Sequence, residues 1–115
     1  MIKSVALIYR NPALSPKEFR DYWESTHVPT VRAALPGLIH YCGSFPLPGS
    51  GRGPYGEMLD CDAVIELGWP DKATMKRDMT SPEFNTPERE ASSAHLMDLA
   101  RTRTVTVEQV TVDLD

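Results

Sequence analysis

The spacing of apolar positions changes several times along the chain, and each change marks an element. Residues 2–9 (IKSVALIY) alternate Ile2, Ser4, Ala6, Ile8 against Lys3, Val5, Leu7, Tyr9. A period of two with β-branched and aromatic side chains predicts a strand, here with two largely apolar faces. Asn11-Pro12 ends it. In Ser15-Pro16-Lys17-Glu18 three helix-start signals agree: a hydroxyl at the N-cap, proline at the first helical position and an acid able to reach back to the cap. The spacing then becomes four, with Phe19, Trp23 and His27 on one face of a helix running from about Pro16 toward Ala33. Pro29 offers no N–H to the Ser25 carbonyl and pushes Val28 from helical angles, so a kink or break is expected near His27.

Pro36-Gly37 punctuates, and Leu38–Phe45 predicts a second strand. Leu38, His40, Cys42 and Ser44 share one face, Ile39, Tyr41, Gly43 and Phe45 the other. Residues 46–60 hold three prolines and four glycines and form no regular element. A connection this long reads either as a lid or binding loop bordering a pocket or as a hairpin tip without a duty. A third strand follows at about Cys61–Trp69. Asp71 caps a short helix to about Met79, and Ser81-Pro82 and Thr86-Pro87-Glu88 are further cap-plus-proline starts, for one or two helices within 82–100. The alternating Thr/Val stretch 102–112 predicts the last strand.

The order strand, helix, strand, strand, helix, strand predicts an α+β fold, the ferredoxin-like βαββαβ arrangement. In it a four-stranded antiparallel sheet carries its helices on one face, as a single domain over residues 1–115. Because the strands are apolar on both sides, the helix-free face would expose a large apolar patch. A homodimer that lays sheet against sheet covers it.

Charge and composition narrow the function classes. Twelve Lys+Arg stand against 16 Asp+Glu, a net charge of −4, and 41% of residues are hydrophobic. That is a globular composition, and its acidic balance argues against nucleic acid or an anionic membrane as partner. No run approaches the ~20 apolar residues of a membrane span, and the start alternates as a strand does, so a cytoplasmic location is expected. In that compartment Cys42 and Cys61 form no disulfide, and two thiols alone make no zinc site. Phosphate-binding loop, dinucleotide fingerprint, nucleophile elbow and metal-spaced His/Cys cluster are all missing from the sequence.

What remains is polar groups at apolar places. His27 follows Phe19 and Trp23 inward, either as a general acid/base or as a core histidine bonded to the carbonyl that Pro29 frees. His40 and Tyr41 are adjacent in a strand, so only one of them faces a given cavity. Asp62 and Glu66 share a face with Val64, as solvated edge charges or pocket acids, while Cys61 shares its face with Ala63, Ile65 and Leu67 and reads as a buried, inert thiol. His95 after Ser92 and Ser93 could only support acyl transfer with an oriented acid and an oxyanion hole, and nothing specifies either.

Phe19-Arg20-Asp21-Tyr22-Trp23 with His27-Val28-Pro29, then Leu35-Pro36-Gly37-Leu38 and Tyr41, resembles the EthD family, named for ethyl tert-butyl ether degradation. The likeness covers the first strand, first helix and second strand closely and the rest by order of elements; 46–60 and 82–100 follow no family pattern. It implies a dimeric α/β barrel with a pocket between sheet and first helix, reached by His27 and Tyr41. Relatives include methylmuconolactone isomerases and fungal polyketide decarboxylases or cyclases, which work on small cyclic acids or aromatics without metal or organic cofactor. In those isomerases a histidine and a tyrosine occupy the positions matching His27 and Tyr41. The expectation is a cofactor-independent isomerase, cyclase or decarboxylase acting on a small oxygenated or aromatic molecule in a catabolic or polyketide pathway. His27 would transfer protons, Tyr41 would hold a substrate oxygen, and Trp23, Phe19, Phe45 and His40 would bind the substrate. A non-catalytic small-molecule-binding accessory protein and a cofactor-free monooxygenase of the same superfamily are the alternatives.

Overall fold

A computed structural model describes residues 1–56 and 59–115. Strand β1 (Ile2–Ile8) lies inside a four-stranded antiparallel sheet of order β2-β3-β1-β4, with β2 at His40–Ser44, β3 at Ala63–Trp69 and β4 at Arg103–Glu108. β1 pairs with β3 from Ile2 opposite Trp69 to Ile8 opposite Ala63, and with β4 from Ile2 opposite Glu108 to Leu7 opposite Arg103. This register puts Ser4, Ala6, Ile8, Tyr41, Ala63, Ile65, Leu67 and Trp69 on the face that the helices cover. The predicted α+β, ferredoxin-like arrangement is the one observed. No helix among the described residues is long and apolar enough to cross a membrane.

Helix α1 (Pro16–Tyr22) starts as its cap dictates. The Ser15 hydroxyl accepts from the Glu18 N–H at 3.1 Å and the Glu18 carboxylate accepts from the Ser15 N–H at 2.9 Å. The kink or break expected near His27 takes the form of a π-helical turn, Trp23–His27, in which the Val28 N–H reaches back to the Trp23 carbonyl. The chain then continues directly into α2 (Val28–Ala34), and Pro29 falls in the first turn of that helix, where a missing N–H costs nothing. The wider turn carries Phe19, Trp23 and His27 to one side while absorbing the proline.

Strand β2 begins two residues later than expected. Asp71 caps α3 (Lys72–Met79) with a 2.8 Å bond from the Thr74 N–H, and Thr86 caps α4 (Pro87–Leu96). Ser81-Pro82 opens no helix: the Ser81 hydroxyl accepts from the Phe84 N–H in a local turn, satisfying the group a helix would have used. The last strand stops at Glu108, short of the expected 112. Val110, Val112 and Leu114 keep the alternation but have no neighbouring strand, and are 80%, 70% and 92% exposed.

Two clusters form the core. Ile8, Phe19, Ala63 and Leu96 make one; Val31, Leu35 and Trp69 make the other. In the second, the buried Asp78 carboxylate accepts from the Trp69 indole N–H at 2.9 Å and from the Gly37 N–H at 2.8 Å. Gly37 is required there, because a Cβ would fall 2.7 Å from that same oxygen.

Candidate active site

Between the two clusters lies a cavity of about 200 Å³. Ser4, Ala6, Tyr41, Ile65 and Leu67 contribute from the sheet, Phe19, Trp23, His27 and Val31 from the α1–α2 segment, and Phe84, Arg89, Ser93 and Leu96 from α4 and its approach. Most of this wall is apolar, so each polar group in it faces a medium where a hydrogen bond or a charge counts for more than in water.

His27 is 6% exposed. Its Nδ1 lies 2.9 Å from the Ser92 hydroxyl, and the Tyr22 hydroxyl lies 3.1 Å from the same Ser92 oxygen. The Tyr22 ring in turn packs on His95, centroids 4.4 Å apart. Ser92 is itself buried and does not line the cavity, so it holds the imidazole from behind. Among the described residues Nε2 has no partner. Burial first, and the Arg89 guanidinium second, push the imidazole from its ordinary 6.5 down to about 4, so the ring is neutral at pH 7. The core-histidine alternative had the imidazole bonded to a freed backbone carbonyl; the partner is a side-chain hydroxyl 65 residues away.

Tyr41 shares the cavity, and burial pushes its phenol up to about 12, so it remains a proton donor at any physiological pH. Trp23 packs edge-on against Tyr41, with centroids 5.9 Å apart. The indole N–H tempers the rise at Tyr41 by its proximity, yet among the described residues it meets no acceptor in hydrogen-bond geometry, and it is buried. Gly43 makes room for this indole: a Cβ there would sit 2.5 Å from the ring.

Phe45 packs on Phe19 and Trp23 at 6.4 and 5.5 Å but lines a separate surface cleft with Pro46 and Asp62, its ring covered by the Arg20 guanidinium at 4.4 Å. It braces the wall from outside the cavity. His40 lies on the opposite, helix-free face, where strand alternation must place it once Tyr41 points inward. Its Nε2 is 3.4 Å from a Glu66 oxygen that the Lys3 ammonium also holds. The donor atoms of His40, Cys42 and Glu66 lie within 4.8 Å of one another, a three-donor group that linear spacing hides because it spans two paired strands. With Lys3 already on the carboxylate, a cation there would compete with an ammonium. Asp62 accepts from the Arg10 N–H at 2.8 Å and pairs with its guanidinium, and burial raises the Cys61 thiol.

None of the described residues of 46–60 lines the main cavity, against the expectation of a bordering loop; Pro46 reaches only the small cleft. Residues 57 and 58 of that stretch lie outside the described residues. Sequence reasoning missed Arg89, Ser92 and Ser93. Their signal was present, since Arg89, Ser92, Ser93 and Leu96 fall at i, i+3, i+4 and i+7 and so share one face of α4.

No curated protein matches the sequence. In structure the chain is similar to an ethyl tert-butyl ether degradation family protein from Bacillus halodurans, at 21% identity over 96% of this chain and 99% of that one, TM-score 0.65. It is also similar to SnoaB from Streptomyces nogalater, described as a cofactor-independent oxygenase, at 17% identity over 99% and 97%, TM-score 0.65. A third likeness is to a dimeric ferredoxin-like protein of unknown function from Thermobifida fusca, at 18% identity over 94% and 90%, TM-score 0.62. At these identities the structures speak for the fold alone. The EthD domain model matches residues 11–100, a span that includes both the His27 turn and the Ser92 helix, and the chain therefore belongs to the EthD family.

Proposed function

We propose that the protein is a cofactor-independent enzyme of the isomerase, cyclase or decarboxylase type, acting on a small oxygenated or aromatic molecule in a catabolic or biosynthetic pathway. One observation carries the reading: a buried, neutral imidazole, oriented through Nδ1 by Ser92, has its second nitrogen unpartnered in the wall of an apolar cavity. Such a nitrogen takes a proton from carbon or oxygen and returns it. Ser92 can donate to Nδ1 or accept from it, so it serves both tautomers that a reversible transfer needs. The neutral Tyr41 phenol donates to a substrate oxygen as charge builds on it, and Phe19 and Trp23 keep water away. The fold of SnoaB is evidence that this scaffold hosts chemistry without a cofactor, which also keeps a cofactor-free oxygenase within the same reading.

Solvent-deuterium exchange into small lactones and cyclic ketones, followed by NMR, tests it. His27→Ala should reduce exchange by about 10²- to 10⁴-fold, the usual contribution of general acid–base help. Exchange at the native rate in the variant, or none with the native protein, would favour the non-catalytic binder.

The reading includes a homodimer. Val5, Leu7, Val64 and Val105 lie on the face away from the helices, and the exposed Val110, Val112 and Leu114 continue an unpaired strand pattern. A similar fold is described as dimeric. Light scattering should give twice the 12.8 kDa chain mass; a single-chain mass at micromolar concentration contradicts the dimer.

A further inference from the structure

We propose that the cavity takes a small organic carboxylate and that Arg89 is the residue that recognises it. The inference rests on the use of the cavity proposed above and specifies its substrate class. Among the described residues Arg89 is the one charged side chain in the cavity wall, His27 being neutral.

Its placement is that of a prepared anion receptor. The Arg89 Nε–H donates to the Phe84 carbonyl at 2.9 Å, and the guanidinium lies 4.0 Å over the Phe84 ring. Those two contacts fix the plane of the fork. Among the described residues they leave its Nη groups without an acceptor and no carboxylate within 4 Å. What sets Arg89 apart is its place, for among the described residues no other arginine lines the cavity. A half-buried guanidinium in an apolar wall, oriented but unpaired, gains two parallel charge-assisted hydrogen bonds when a carboxylate arrives.

A volume of about 200 Å³ is below the ~300–1,000 Å³ of typical ligand sites, which limits the guest to about one ring.

The test compares acids with their neutral isosteres: benzoate against benzamide, and cyclohexanecarboxylate against its amide, titrated at pH 7 into the native protein and followed by tryptophan fluorescence and amide NMR shifts. The acids should bind about 10- to 100-fold more tightly than the amides. Arg89→Met should remove that preference while leaving amide affinity within about twofold, and Arg89→Lys, which keeps the charge without the fork, should fall between. The comparison on the native protein stands even where a variant fails to fold. Equal binding of acid and amide, or a folded Arg89→Met with native acid affinity, overturns the inference. Amides that bind where acids do not would leave the proposed use of the cavity intact and overturn the carboxylate alone. If neither class binds, both fall.

Discussion

Asp78 and His27 are both buried polar side chains on helices packed against the same sheet, and they are treated in opposite ways. Asp78 is filled from within the protein: the Trp69 and Gly37 N–H groups both end on its carboxylate, and the residue is 2% exposed. His27 is filled on one side only, by Ser92, and its other ring nitrogen is left in a cavity wall. A polar group whose partners are its own chain's N–H groups stabilises a turn and a helix contact. A polar group held but half-satisfied is available for chemistry.

The contrast can be broken most strongly at Asp78. Asp78→Ala strands the buried Trp69 N–H and the half-buried Gly37 N–H, and a loss of about 2–4 kcal/mol is expected in urea unfolding, with binding in the His27 cavity unchanged wherever the variant still folds. A cost below about 0.5 kcal/mol would mean the two centres are not different in kind.

Acid should act on the other centre by a comparable amount. Because burial holds the folded-state pKa of His27 near 4, below the unfolded 6.5, the unfolded chain binds its proton first as pH falls. The contribution is present in full above pH 6.5 and is lost between 6.5 and 4, up to about 3 kcal/mol, at roughly 1.4 kcal/mol per pH unit. Unfolding curves recorded across that window should show the slope, and His27→Gln should flatten it.

The smallest effect belongs to the residue behind the imidazole. Ser92→Ala removes one partner each from His27 and Tyr22 and should cost about 1–2 kcal/mol. Its larger mark should be on turnover, lowered about 10- to 100-fold as the ring loses its orientation, with substrate affinity nearly unchanged. Ser92→Thr, which restores a hydroxyl, should recover part of it.

Legibility in the sequence followed locality. The start of α1 was readable because Ser15, Pro16 and Glu18 act on one another within four residues, and Asp71 and Thr86 announced α3 and α4 for the same reason. Pro29 signalled a disturbance but not its form, since whether a helix breaks or widens to a π turn depends on what packs beneath it. Alternation in 109–112 promised strand that β4 does not supply, because a strand needs a neighbour and pattern alone provides none. At the site, the helical spacing of Phe19, Trp23 and His27 disclosed the inner face, and adjacency in β2 separated Tyr41 from His40 without saying which turned inward. The spacing of Arg89, Ser92, Ser93 and Leu96 disclosed one face of α4, but the roles of Ser92 and Arg89 exist only once that face is laid across the π turn.

The central claim is that His27 presents a neutral, unoccupied nitrogen to the cavity, and NMR of the imidazole nitrogens through a pH titration measures it directly. The account predicts a ring that stays neutral down to a titration near pH 4, with the Nε2 resonance moving on addition of benzoate or its amide while Nδ1, held by Ser92, moves little. Titration at or above 6.5, or ligand saturation that leaves Nε2 unmoved, would contradict it.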